Sequence, residues 1–121
     1  MARVLVCDDS GFMRDMIKEY LEAEGHDVVG VAANGDDALD QYVKLKPDVV
    51  TMDIVMQPDG IGAIEKIIAH DKSAKVIIVT VLEGGQSAVV DGIRAGAMGY
   101  VTKPVKKEQL IREVNRITGE L

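Results

Sequence analysis

The chain has 121 residues, 47% hydrophobic and 28% charged, which suits one compact core under an ordinary polar surface. Its net charge of −6 argues against nucleic acid as the main partner, and no unbroken apolar run is long enough to cross a membrane. A single cysteine, Cys7, excludes an internal disulfide. The strand-like start at Met1-Ala2-Arg3-Val4 leaves no room for a secretion signal, so a reducing, cytoplasmic setting is expected.

Two periodicities alternate along the chain. Val4-Leu5-Val6-Cys7 is a short apolar run of the kind a buried parallel strand needs, and Cys7 within it reads as a core residue rather than a reactive thiol. Asp8-Asp9-Ser10 follows, rich in helix N-cap formers. Met13, Met16, Ile17, Tyr20 and Leu21 then recur at helical spacing, and Gly25 stops that helix. Val28 to Ala32 reads as a second strand. Asn34-Gly35 reads as a turn, and Ala38, Leu39, Tyr42 and Val43 as a second helix closed by Pro47.

The unit repeats. Val49 to Met52 is a strand, and Ile61, Ile64, Ile67 and Ile68 form a helical stripe. Val76-Ile77-Ile78-Val79 is the most strand-like run of all. Gly84-Gly85 opens a loop before a weaker helix through Val89, Val90 and Ile93, which Gly96 ends. Tyr100 to Thr102 is a short strand, and Leu110, Ile111, Val114 and Ile117 mark a last helix. Strand–helix alternation of this kind predicts an α/β fold, with a doubly wound parallel sheet covered by helices on both faces, in one domain over residues 1–121.

Ligands of such sheets bind beyond the carboxyl ends of the strands. Every strand but the second ends there in a polar residue. The first ends in Asp8 and Asp9, the third in Asp53, the fourth in Thr80, and the fifth in Lys103, with Pro104 after it. Each alone has a plain reading: a helix cap, a strand-end threonine, a solvated lysine. Together they bring carboxylates, a hydroxyl and an ammonium to one crevice. Close carboxylates repel unless a cation joins them, and Mg²⁺ is the hard divalent ion that a few carboxylates hold. Lys103 adds positive charge and Thr80 a hydroxyl, as phosphoryl transfer requires. Asp53, the central carboxylate, is the natural nucleophile for an acyl phosphate.

On the segments VLVCDDSGFMR, KPDVVTMDIVM, VIIVT and AGAMGYVTKP, in that order and spacing, the chain resembles the response-regulator receiver family over essentially its whole length. The resemblance implies a flavodoxin-like, CheY-like five-stranded sheet in the order 2-1-3-4-5. It makes Asp53 the phospho-acceptor, Asp9 a direct Mg²⁺ ligand, Asp8 a ligand through water, and the Val55 backbone carbonyl a further ligand. Lys103 would pair with the phosphoryl group, with a cis peptide at Lys103-Pro104. Thr80 and Tyr100 would be the switch pair, although Tyr100 also reads as an ordinary half-buried strand tyrosine. Phe12-Met13-Arg14 and the lack of an output domain point to free-standing chemotaxis regulators of the CheY type.

The family departures lie in the loop Gln57-Pro58-Asp59-Gly60, one residue short with Pro displaced, in Val81 after Thr80, and in the glycine-led fourth helix. In the short loop Gly60 is expected to relieve strain with positive φ.

The expected function is a two-component response regulator, not an enzyme but a phospho-accepting switch that assists its own phosphoryl transfer and hydrolysis. A sensor histidine kinase would be the phosphodonor. A protein partner, a motor component among the candidates, would read the surface of the fourth helix, fifth strand and fifth helix. A monomer is expected, with neither nucleic acid nor membrane as partner. A phosphorelay intermediate, or a receiver taken from a larger transcriptional regulator, would carry the same residues. A flavin protein would need a Gly- or Ser/Thr-rich phosphate loop where Asp8-Asp9 stands. A haloacid-dehalogenase-type phosphatase would need two aspartates separated by one intervening residue on the first strand, which this chain lacks. His26 and His70 join no ligand cluster.

Overall fold

The computed structural model describes residues 1–56, 60–81 and 86–119. In these, strands β1 (Arg3–Cys7), β2 (Asp27–Ala32), β3 (Val49–Asp53), β4 (Val76–Thr80) and β5 (Gly99–Thr102) alternate with helices. The helices are α1 (Gly11–Ala23), α2 (Gly35–Leu45), α3 (Gly60–His70), α4 (Gln86–Ala95) and α5 (Lys107–Thr118). All neighbouring strands are parallel, as the alternation predicts, and the sheet order is β2-β1-β3-β4-β5, as the family resemblance implies.

Parallel strands covered on both faces carry apolar residues at successive positions, each pointing to the opposite side from the last. Leu5, Cys7, Val50, Met52, Val76 and Ile78 pack with Ala38, Tyr42, Ala63, Ile64 and Ile67 from α2 and α3. Val4, Val6, Val49, Ile77, Val79 and Val101 pack with Ile17, Leu21, Leu110, Val114 and Ile117 from α1 and α5. Cys7 is buried, as expected. Burial first, then the Asp37 and Asp8 carboxylates, pushes its thiol far up, so it stays protonated and inert.

Most helix ends behave as their sequences predict. Ser10 and Asn34 cap α1 and α2, their side chains accepting from Met13 and Asp37 backbone N–H groups. Gly25 and Gly96 follow α1 and α4 with φ of 84° and 125°. Helix α2 stops at Leu45, ahead of Pro47 as expected, with an unusual cap. Lys46, not a glycine, takes the left-handed conformation at φ 49°. The Arg3 guanidinium reaches over from β1 and donates to the Leu45 and Lys46 carbonyls, both at 2.8 Å. Those bonds satisfy carbonyls that the helix itself leaves open.

Helix α4 also departs from its predicted stripe. Val90 and Ile93 are 46% and 43% exposed rather than buried. The face that meets the sheet is small: Ala88 and Ala95 pack on the core, and a Cβ at Gly92 would collide with Ile78 Cδ1. The helix sits close to β4 because it has a glycine there, and large anchoring side chains are missing from that contact. His26 is buried. Its Nδ1 accepts from Ala2 N–H at 3.0 Å, and Nε2 lies 3.1 Å from Asn115 Oδ1, which joins the chain start to α5.

One buried polar atom has no use in this core. Thr51 is 1% exposed at the centre of β3, and its Oγ1 has no hydrogen-bond partner. An unmet buried hydroxyl carries a desolvation penalty without a compensating bond. Thr51→Val keeps the branched shape and should stabilise the fold by about 1 kcal/mol in urea unfolding. A clear loss of stability would show that the hydroxyl is bonded in solution.

Candidate functional site

The site is built from strand ends. Cys7 of β1 lies opposite Met52 of β3, so the next residues, Asp8 and Asp53, fall side by side at the carboxyl edge. Both are buried, at 0% and 1% exposure, while Asp9 is exposed. Carboxylate oxygens of Asp8, Asp9 and Asp53 all lie within 4.8 Å of one another. Lys103 comes from the end of β5, where its backbone N–H donates to the Thr80 carbonyl at 2.7 Å. Its Nζ lies 3.1 Å from Asp8 Oδ2 and 3.4 Å from Asp53 Oδ2. The Lys103-Pro104 peptide is cis.

Two roles within Asp8-Asp9-Ser10 separate in space. Ser10 does the capping, with its hydroxyl accepting from Met13 N–H at 3.2 Å. Asp8 turns inward, and its Oδ1 accepts from Ser10 N–H at 2.9 Å. Its Oδ2 is buried and has no hydrogen-bond partner; the Lys103 ammonium beside it forms an ion pair without hydrogen-bond alignment. A buried carboxylate oxygen left open, with hard oxygen donors of two more carboxylates beside it, fits a divalent cation such as Mg²⁺. One ammonium against three carboxylates leaves the cluster with two excess negative charges when all are ionised.

Asp53 is held at both oxygens. Oδ1 accepts from Val55 N–H at 3.1 Å, and Oδ2 faces Lys103. Burial raises its pKa most. The Val55 N–H lowers it, Asp8 raises it again and Lys103 lowers it, with an upward balance. For Lys103 burial works against the charge, but Asp8 and Asp53 outweigh it, and the balance is also upward, so it stays an ammonium at neutral pH.

Of the predicted site residues, Asp8, Asp9, Asp53 and Lys103 are brought together. Val55 contributes its N–H to Asp53, and its side chain is exposed. Thr80 stands at the next strand end, just past the Asp53–Val79 pair, and is buried. Its hydroxyl donates to the Val81 carbonyl at 3.3 Å, so it does not bond Asp53. Tyr100 is opposite Ile78 on β5 and 44% exposed, away from the carboxylates.

Gly60 has a steric role. It opens α3 directly against β3. A Cβ there would collide with the Asp53 carbonyl oxygen and lie 2.6 Å from Ile54 Cα. Glycine is needed there for close approach of helix to strand. Gln57, Pro58 and Asp59, where the rest of the shortened-loop expectation falls, lie outside the described residues, as does the Gly84-Gly85 loop.

A family model for the response regulator receiver domain matches residues 4–115. The chain belongs to the response-regulator receiver family. It is 40% identical over 117 residues to chemotaxis protein CheY of Thermotoga maritima, covering 96% of this chain and 97% of that one. It is 41% identical over 115 residues to CheY of Bacillus subtilis, covering 94% and 95%. Among solved structures it is similar to the response regulator domain of Thermotoga maritima CheB, with a TM-score of 0.89, 33% identity, and coverage of 97% and 96%. It is also similar to a LuxR-family response regulator from Aurantimonas sp. SI85-9A1, with a TM-score of 0.91, 31% identity, and coverage of 98% and 86%. No helix among the described residues is long and apolar enough to cross a membrane.

The raised Asp53 pKa sets the sign of a pH effect. A carboxyl raised by folding favours the folded state when protonated; that stabilisation is complete below its usual value of 3.8 and is lost as pH rises through the folded value. At pH above the folded value, ionised Asp53 therefore weakens the metal-free fold. Asp53→Asn should melt higher than the native chain in EDTA at neutral pH, and the difference should close as pH falls toward 3.8. A lower melting point for the variant would show that the Lys103 pair outweighs burial and repulsion.

Proposed function

We propose that this receiver is a phosphorylation-operated signalling switch whose phospho-acceptor is Asp53. The observation that carries this reading is the Lys103 ammonium, 3.1 Å from Asp8 and 3.4 Å from Asp53 at the base of one acidic cluster. The donor is a phosphohistidine of a sensor kinase. An Asp53 carboxylate oxygen attacks phosphorus, the phosphorus–nitrogen bond breaks, and the departing imidazole keeps the electron pair and takes a proton from solvent. The Val55 N–H holds one carboxylate oxygen and so orients the other, and Lys103 pairs with the phosphoryl oxygens as charge accumulates there. Asp8, Asp9, Asp53 and the Val55 carbonyl would hold Mg²⁺, which when bound neutralises charge on the phosphoryl group. The phosphoryl group goes to the protein's own Asp53, and hydrolysis later restores the carboxylate and releases phosphate, so the protein is a switch that assists its own phosphoryl transfer and hydrolysis rather than an enzyme acting on a separate substrate.

The output is a change of surface. Thr80 and Tyr100 are the switch pair, and the face they control is that of α4, β5 and α5. Val90, Ile93, Met98 and Tyr100 are all exposed there, apolar area of the kind a protein partner buries. Chemotaxis or motility, in the cytoplasm and with a motor component as one candidate partner, is favoured by the CheY relatives, whose lengths the chain nearly fills.

Acetyl phosphate with Mg²⁺ should add one phosphoryl group to the native chain and none to Asp53→Asn, read by intact-mass spectrometry. An unchanged adduct on the variant would move the acceptor elsewhere. Beryllofluoride should shift the amide resonances of Thr80, Tyr100 and α4 together. Shifts confined to the strand ends around Asp53 would leave phosphorylation without a switch.

A further inference from the structure

The cation of α1 nearest the acidic cluster makes no ion pair with it. Arg14 stands in the first turn of α1, six residues after Asp8. Asp8, Asp9 and Asp15 all lie close in sequence, yet its Nη1 donates to the Asp8 main-chain carbonyl at 2.8 Å, a partly buried bond. Among the described residues Arg14 forms no salt bridge. The guanidinium is folded back over the start of the helix: a Cβ at Gly11 would lie 3.5 Å from Arg14 Nη2.

That carbonyl is an unusual target. It belongs to the residue whose buried side chain faces Lys103 through Oδ2, an oxygen without a hydrogen-bond partner. On the other side of Asp8, its own N–H donates to the Ala32 carbonyl at 3.0 Å, which ties it to β2. Its Oδ1 accepts from Ser10 N–H. With the Arg14 bond, the backbone N–H, backbone carbonyl and one carboxylate oxygen of Asp8 are all hydrogen-bonded, and Oδ2, ion-paired with Lys103, carries no hydrogen bond. A charge-assisted bond to a carbonyl is stronger than a neutral one, and Arg14 lies near enough to make it because α1 begins within three residues of Asp8.

We infer that Arg14 is a positioning residue for the acidic site: its bond to the Asp8 carbonyl holds the turn that carries Asp8 and Asp9 in cation-binding geometry. This rests on the reading that the cluster binds Mg²⁺. The inference makes a prediction of sign. If the guanidinium acted only as a nearby positive charge, removing it would strengthen binding of a divalent cation by lifting repulsion. If it positions the turn, removing it weakens binding. Loss of a hydrogen bond behind a metal ligand commonly costs tenfold or more in affinity.

The test uses the whole chain, with Mg²⁺ as the probe. Calorimetry of Arg14→Ala should show Mg²⁺ affinity about tenfold weaker than native. Arg14→Lys, which keeps the charge and a donor, should recover most of it. Lys18→Ala, which removes a charge one turn further along α1, should not weaken it. The half-saturating Mg²⁺ for acetyl phosphate labelling should rise more than the rate at saturating Mg²⁺ falls. In metal-free protein the amides of Ser10 and Met13 should exchange faster in Arg14→Ala than in the native chain, with Arg14→Lys between. Unchanged or tighter Mg²⁺ binding in Arg14→Ala overturns the positioning role. If the native chain binds no Mg²⁺, the metal reading has failed, and the exchange rates decide whether Arg14 holds the turn: equal rates overturn that as well.

Discussion

The register of β1 against β3 is the constraint from which the site follows. With Cys7 opposite Met52, one further step on each strand places Asp8 and Asp53 together at a buried edge. Slipping the register by one residue would turn every side chain of one strand to the wrong face, so the apolar alternation that builds both cores also fixes this pair. Two buried carboxylates side by side repel. The fold tolerates them because Lys103 arrives from the far side of the sheet. It does so through the β4–β5 pairing that sets Thr80 opposite Thr102. Core packing and site electrostatics are thus one problem: the apolar strands force the acids together, and the strand order delivers the cation that makes this bearable.

The same economy of contact governs the helices around the edge. Gly60 lets α3 start against the Asp53 backbone, and Gly92 lets α4 lie against Ile78. The consequences differ. Helix α3 follows its glycine with Ala63, Ile64 and Ile67, all buried, and is well anchored. Helix α4 has Ala88, Gly92 and Ala95 at its contact and turns Val90 and Ile93 outward. A helix held mainly by small residues has little apolar burial to lose on moving, which places it at the low-stability end of the structure. On the proposed function, this is the element that has to respond.

Much of this was legible in the sequence because it follows from periodicity and from residue type at strand ends. The alternation of runs such as Val76-Ile77-Ile78-Val79 with stripes such as Leu110, Val114 and Ile117 shows the layers directly. Asp8, Asp53 and Lys103 stand out because charged residues follow buried strands. What was not legible depends on contacts between distant segments. Arg3 looks like an ordinary polar start to a strand, yet it closes α2 and goes with a left-handed Lys46 where a glycine would be anticipated. Nothing near His26 in sequence points to Ala2 and Asn115, which face its two ring nitrogens. Gly60 suggested a torsional reason because glycine in a loop usually has one; the steric reason needs the position of Asp53. In α4 a run of valines and an isoleucine drew attention to the wrong face, since alanine and glycine give no amphipathic signal of their own.

The resting arrangement of Thr80 and Tyr100 bears on how such a site would transmit a signal. A phosphoryl group on Asp53 would bring additional negative charge to a cluster where one ammonium already faces two buried carboxylates. Nearby donors would be drawn in. The Thr80 hydroxyl is the cheapest to redirect, because its bond to the Val81 carbonyl at 3.3 Å is long for an O–H donor. Thr80 ends β4, the strand on which Gly92 of α4 rests through Ile78. Ile78 is also the residue opposite Tyr100. A displacement at the end of β4 is therefore adjacent to the two parts of this face with most to gain from moving: a helix with a small-residue footing, and a half-exposed aromatic ring that still has apolar area to bury. Coupling of this kind needs no long pathway. Thr80 and Ile78, two residues apart on β4, stand beside the Asp53 strand end, against Gly92 of α4 and opposite Tyr100.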